Sequence, residues 1–257
     1  MSMNVFLSND DGIFALGLHR LAEYLHRLPD VKLYVFAPDR ERSAAGMSLT
    51  LREPIHVEPY DFPGAEMAFS VAGTPVDCVR FGVHYLRDRG IEPDLLCAGI
   101  NHGSNIGGDV YFSGTVSAAV EGVMKGVPAI AFSLREREGH HFELFEKLVP
   151  QVVEKSLGRI PPLTVINVNA PDLPASEIKG LRVCRLGRRY FKEWYEDLGD
   201  GDFIWRYGPM DLPEDAETAD DLDSIAVPEG YITVGPVSIR AARPGAMEEI
   251  ESWGLEF

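Results

Sequence analysis

Val5-Phe6-Leu7-Ser8-Asn9-Asp10-Asp11-Gly12 is an apolar run that ends in an oxygen-rich turn, and its neighbours in the chain decide how to read it. Leu18, Leu21, Leu25 and Leu28 come next at helical spacing on one face. Val31 to Ala37 (VKLYVFA) is then a second apolar run. A short all-apolar strand, an amphipathic helix and another all-apolar strand describe a βαβ unit, whose parallel strands are buried on both faces.

The alternation continues outward from this unit. Thr74-Pro75 opens a helix running to about Arg87, with proline at a first-turn position that needs no amide hydrogen. Asp94 to Ala98 reads as a strand, Thr115 to Lys125 as a helix and Ala129 to Phe132 as a strand. A helix from about His141 to Leu157 leads to a strand over Leu163 to Val168. The pattern predicts a doubly wound α/β core with a mainly parallel sheet over residues 1–170. Further β segments at Leu181–Leu186 and Tyr231–Ile239 make residues 171–257 a β-rich extension of the same domain unit.

The chain has 257 residues, 45% hydrophobic and 25% charged, the balance of a globular protein rather than a disordered one. A chain of this size buries roughly three quarters of its unfolded surface. No run approaches the roughly 18 apolar residues of a membrane span, and Met1-Ser2-Met3-Asn4 lacks the charged start of a secretory signal. Cys78, Cys97 and Cys184 stand far apart in mostly apolar surroundings, as reduced thiols of a cytoplasmic protein do. With 40 Asp+Glu against 24 Lys+Arg the formal charge is −16, which disfavours a broad grip on a nucleic-acid polymer. A small phosphorylated substrate remains compatible, because a bound cation reverses the charge locally.

That charge is unevenly placed. From Glu193 to Asp223 twelve acidic residues face one basic residue, Arg206. Gly199, Gly201, Gly208, Pro209 and Pro213 also fall in this stretch, so it is expected to be an irregular, solvated excursion. Its aromatics Trp194, Tyr195, Phe203, Trp205 and Tyr207 support an alternative, an arm or lid packed against a neighbouring subunit.

In open α/β sheets the chemistry gathers in loops beyond the carboxyl ends of the strands. Three such loops are rich in polar residues: Ser8 to Gly12, Pro38 to Gly46, and Gly99 to Asp109. Asp10 and Asp11 taken alone fit a helix cap as well as a metal site. Joined by the Ser43 hydroxyl and the Asn101 amide oxygen from neighbouring strand ends, they become a hard-oxygen set suited to one Mg²⁺ or Mn²⁺. Zinc is disfavoured, since no Cys/His cluster has ligand spacing. Ser113-Gly114-Thr115 precedes a helix whose first turn offers hydroxyls and free amides, either an ordinary N-cap or a phosphate cradle. Asn9, Ser113, Gly114 and Thr115 are therefore candidate phosphate contacts. His102, Ser104 and Asn105 are candidate substrate contacts, His102 also for proton transfer. No GxxxxGK[ST], GxGxxG or GxSxG motif competes with this reading.

Several blocks together resemble the SurE (stationary-phase survival) nucleotidases. They are Asn4 to Ile13; Pro38, Arg42 and Ser43 with Ser48-Leu49-Thr50; Gly73 to Val79; Pro93 to Gly107; and Asp109 to Val116 with Glu121-Gly122. Pro128 to Ala131 and Asn167-Val168-Asn169 extend the match. The resemblance implies a Rossmann-like core and a divalent-metal phosphomonoesterase acting on nucleoside 5′-monophosphates. 3′-Monophosphates and short polyphosphate are further candidate substrates. It also implies metal ligation by Asp10, Asp11, Ser43 and Asn101. Water is then the expected attacking group, because Asp10 as a covalent nucleophile would have to leave the cation's shell; an aspartyl-phosphate route is the alternative. A homodimer or homotetramer that exchanges C-terminal segments is implied too. Leu16 and Phe112 replace the family's usual Pro and Tyr, and Val234-Gly235-Pro236 replaces a Thr-Pro-Leu-like segment. Two other classes remain open from the residues themselves: a phospho-acceptor signalling domain and a non-catalytic nucleotide-binding protein.

Overall fold

Alternate residues of the first strand, β1 (Met3–Ser8), enter opposite cores. Val5 and Leu7 pack with Leu18, Leu21 and Leu25 of α1 (Leu16–Leu25), while Phe6 packs on the other face. β2 (Val31–Pro38) divides in the same way, Leu33 and Val35 to one side and Tyr34 and Phe36 to the other. The computed structural model describes residues 2–189, 191–210, 213, 217–239 and 245–253.

The chain continues through β3 (Val57–Pro59), β4 (Ala65–Val71), α2 (Pro75–Arg87), β5 (Leu95–His102) and α3 (Gly114–Met124). β6 (Ala129–Leu134), α4 (Phe145–Ser156) and β7 (Thr164–Ala170) complete the core. Then come β8 (Gly180–Val183), β9 (Phe191–Gly199), β10 (Asp202–Met210), α5 (Asp223–Ala226), β11 (Tyr231–Ser238) and α6 (Ala246–Glu251). A nine-stranded sheet runs β3-β4-β2-β1-β5-β6-β7-β11-β8. β4, β2, β1, β5, β6 and β7 are mutually parallel, while β3 and β11 pair antiparallel to β4 and β7. Among the parallel strands this is the doubly wound order, with the direction of winding reversing between β1 and β5. Helices α1 and α4 cover one face and α2 and α3 the other. Each large side chain that goes fully under cover contributes about 1.5–3 kcal/mol, and Phe6, Phe36, Phe132 and Phe145 all do.

Three expectations are corrected. First, the sequence pattern marks no strand between Ala37 and Thr74, where β3 and β4 lie; Ala65-Glu66-Met67-Ala68-Phe69-Ser70-Val71 lies near the sheet edge, half-buried with Glu66 exposed, and so lacks a continuous apolar run. Second, the strand expected at Asp94–Ala98 extends to His102, which carries Asn101 on the strand itself. Third, the acidic stretch is regular up to Met210, where an irregular excursion was expected: β9 and β10 form an antiparallel hairpin. Its turn is Asp200-Gly201, both at positive φ (55° and 87°), the two-residue turn whose twist matches that of paired strands. Trp205 pairs with Tyr195 across it, and Arg206 bonds Glu196 at 2.8 Å. Asp211, Glu214 and Asp215 of the acidic stretch, and residues 240–244 and 254–257 of the expected extension, lie outside the described residues.

Candidate active site

The loops after β1, β2, β5 and β6 open at one end of the sheet, around the reversal between β1 and β5. The first is folded by Asn9, which is fully buried: its Nδ2 donates to the Gly12 carbonyl at 2.9 Å and its Oδ1 accepts from Gly12 N at 3.2 Å. This clasp presents Asp10 and Asp11 at the tip of the strand. The Asp10 carbonyl accepts from Arg42 N at 2.7 Å, tying the loop after β2 to the same point.

Asp10 is only 4% exposed. Its Oδ1 accepts a short hydrogen bond from Thr115 Oγ1, and the Thr115 backbone also favours its anion. Burial and the neighbouring Asp11 charge outweigh these bonds and push its carboxyl up to about 6. Thr115 Oγ1 also lies 3.5 Å from Asn101 Oδ1. Asn101 Nδ2 donates to the Gly103 carbonyl at 2.7 Å, which orients the amide oxygen away from that turn. Asp11 Oδ2 accepts from His102 N at 3.1 Å and sits 3.3 Å from His102 Nδ1. Ser43 is exposed, its hydroxyl donating to Glu41 Oε1 at 2.6 Å.

Helix α3 points its first turn at this group. Ser113 is its N-cap, the hydroxyl accepting from Val116 N at 3.0 Å. Gly114 is required by close approach: a Cβ there would stand 2.6 Å from Asp10 Cβ and 3.0 Å from Pro75 Cγ. The helix dipole therefore ends on a carboxylate and on any anion beside it.

A cavity of about 480 Å³ occupies the crevice. Asp10, Ser43 and Asn101 contribute to its wall, with His102, Ser104, Asn105 and Ser113. Asp11 lies behind His102, while Asn9, Gly114 and Thr115 support the wall rather than line it. The sequence reading expected Asn9 and Thr115 as phosphate contacts; in the structure their side chains hold the β1 loop and Asp10 respectively. Asn105 is anchored from below, its carbonyl accepting from Asn167 and Asn169 and its Nδ2 donating to Ser133 Oγ at 2.8 Å. A second groove, of about 520 Å³, runs along α2 past Arg80 and Phe81 and holds none of these donor atoms.

Arg135, Arg137, Arg189, Asp109, Phe112 and Tyr207 also line the cavity and were not among the expected residues. Arg135 and Arg137 follow β6 at the same sheet end, so the rule that selected Asp10 and Asn101 would have found them. Arg189 and Tyr207 carry no such signal, because their place depends on where the hairpin sits.

The donor set suits a hard cation. Among the described residues no group of three or more His, Cys, Asp or Glu could hold a metal, which leaves two carboxylates completed by neutral oxygens. No ion pair among the described residues reaches buried Asp10, so beside Asp11 it has hydrogen bonds from Thr115 but no countercharge. Asp10, Asp11, Ser43 and Asn101 would supply such a cation with four oxygens.

Comparison with known proteins identifies the family. The family described as Survival protein SurE matches residues 5–193. The 5′-nucleotidase SurE of Petrotoga mobilis is 38% identical over 255 residues, covering 98% of this chain and 99% of that protein. That of Vibrio campbellii is 41% identical over 254 residues, covering 98% and 94%. The crystal structure of the SurE protein from Aquifex aeolicus superposes with a TM-score of 0.81 at 36% identity, covering 98% of this chain and all of that one. The chain belongs to the SurE family.

Proposed function

We propose that this protein is a divalent-cation-dependent phosphomonoesterase that hydrolyses nucleoside 5′-monophosphates to nucleoside and phosphate. The observation that carries this reading is that Asp10, Ser43 and Asn101 line one cavity, at the start of α3 and the reversal of the sheet. Relatives that span nearly the whole chain are named 5′-nucleotidases, which gives the substrate class.

One Mg²⁺ or Mn²⁺ per subunit, held by Asp10, Asp11, Ser43 and Asn101, would neutralise phosphoryl oxygens and polarise water. The chain's own groups do the rest. The Ser113 hydroxyl, which lines the cavity at the start of α3, holds the phosphoryl group, with the positive end of the helix dipole behind it. Water attacks phosphorus as the P–O5′ bond breaks; the leaving O5′ takes a proton, and the one that the attacking water gives up restores the donor, so that alcohol and hydrogen phosphate leave. His102 supplies the proton that O5′ takes, its ring oriented by Asp11 Oδ2 at 3.3 Å. The three cysteines are unpaired and buried, as suits a cytoplasmic protein, and no described helix is long and apolar enough to cross a membrane. We further propose a homodimer or homotetramer, to be measured by light scattering.

Release of phosphate from AMP, GMP and p-nitrophenyl phosphate, with each metal and after chelation, tests the reading. Asp11→Asn should lower turnover at least ~100-fold without unfolding, since one ligand charge vanishes while the shape persists. Undiminished rates after chelation, or in that variant, would refute the cation site. 3′-AMP and short polyphosphate belong in the same panel. A phospho-acceptor domain needs an aspartate after its third parallel strand. Here β4 ends at Val71 and leads into Ala72-Gly73.

A further inference from the structure

The cavity is larger than a phosphoryl group needs, and its remaining wall has a different chemistry. Phe112 immediately precedes Ser113 in the chain, about 3.8 Å away along the backbone. Tyr207 reaches the same cavity from β10. Phe112 and Tyr207 are 69% and 57% exposed, large aromatic side chains beside a polar cavity, although Tyr207 also packs on Trp205 at 5.0 Å.

This wall is built, not incidental. The buried Asp223 carboxylate of α5 accepts from Gly107 N at 3.1 Å and from Gly187 N at 2.8 Å. One of these amides opens the 3₁₀ turn Gly107–Tyr111 that delivers Asp109 and Phe112; the other precedes Arg189. Asp109 and Arg189 are ion-paired across the junction. The Arg189 guanidinium lies 4.3 Å over the Phe191 ring, and Phe191 lies 5.5 Å from Tyr207. Cation and rings thus form a contiguous cluster, the two rings tilted by 59°, that reaches the cavity at Tyr207.

We propose that Phe112 and Tyr207 are the nucleoside end of the cavity, where the substrate's base stacks, so that the protein prefers nucleoside monophosphates to phosphate esters without a base. The inference rests on the phosphatase reading above and names the part of the substrate that the second wall recognises. Every base offers a π-face, so stacking selects for the presence of a base and little for its identity. Arg189 and Asp109 fix the platform and act as positioning residues.

Steady-state kinetics with AMP, GMP and ribose 5-phosphate test this in wild type, Tyr207→Ala, Tyr207→Phe and Phe112→Ala. Base stacking is typically worth ~1–3 kcal/mol, about 5- to 150-fold. The ratio of kcat/KM for AMP over ribose 5-phosphate should therefore fall at least ~5-fold in both alanine variants, through KM, and stay at the wild-type value in Tyr207→Phe. Adenosine should inhibit ribose 5-phosphate hydrolysis by wild type and lose potency against Tyr207→Ala. An unchanged ratio, or equal loss on both esters, overturns the proposal. Equal loss together with a change in sedimentation would show that a second copy of the chain covers these rings. If wild type hydrolyses no ester, the phosphatase reading fails, and calorimetry of AMP binding to wild type and Tyr207→Ala still decides the stacking site.

Discussion

Asp10 gathers most of the tension in this protein into one side chain. Burial and the Asp11 charge lift its carboxyl to about 6, against the pull of Thr115. An acid whose folded value lies above its unfolded value withholds stability as pH rises between the two, and the loss is complete above the higher one. In the cation-free protein, Asp10→Asn should leave stability near pH 4 almost unchanged. Above pH 6 it should raise stability by roughly 2–3 kcal/mol. Urea melts in chelator at both pH values check this, and an equal difference at the two would clear Asp10 of the burden. Added Mn²⁺ should then raise the Tm of wild type and not of the variant, since only a site that binds the folded state stabilises it. The placement of Asp10 and Asn101 was legible in the sequence because each lies at the carboxyl end of an apolar strand that the alternation of elements fixes, Asp10 just beyond β1 and Asn101 on the last residues of β5. The part played by Thr115 was not, since whether its hydroxyl meets a phosphate or Asp10 depends on the angle at which α3 leaves its cap.

Between elements, the decisive contact is the start of α3 against the tip of β1. Helix propensity alone favours alanine over Gly114 by about 1 kcal/mol. The structure sets against this a Cβ 2.6 Å from Asp10 Cβ, a clash that must move either the helix or the carboxylate. Overpacking of this kind costs about 1–3 kcal/mol, and a shift of ~1 Å at a reacting group costs about 100-fold in rate. Gly114→Ala should therefore be less stable than wild type in urea and nearly inactive, with the fold retained by circular dichroism. A stabilised, active variant would show that the crevice relaxes freely. Elements with continuous apolar strands were readable for the same reason that they pack: β1, β2 and β6 are buried on both faces. The hairpin was missed because its acids and glycines look like loop composition. Yet Asp200-Gly201 between runs holding Trp194, Tyr195, Phe203 and Trp205 is itself a hairpin signal, which the charge count obscured.

Over the whole molecule, charge opposes the proposed substrate. The protein carries −16, and the three cavity arginines are each matched by an acid: Arg135 by Glu136, Arg137 by Glu41 and Arg189 by Asp109. With Asp10 and Asp11 added, the crevice is negative, and a bound divalent cation brings it only to about neutral. Among the described residues that line the crevice no unmatched arginine is then left to steer a nucleotide dianion, while the distant acids repel it as far as salt allows. Screening extends over about 30 Å at 0.01 M ionic strength and about 8 Å at 0.15 M. At low salt the field of the entire molecule reaches the approaching anion; at physiological salt only the neutralised crevice does. With the cation kept saturating, kcat/KM for AMP should rise severalfold as NaCl is raised from about 10 to about 150 mM, the reverse of the usual steered encounter. Stopped-time assays over that range decide it. A steady fall would mean that the arginines act as free cations in solution, and that their acidic partners release them when substrate arrives.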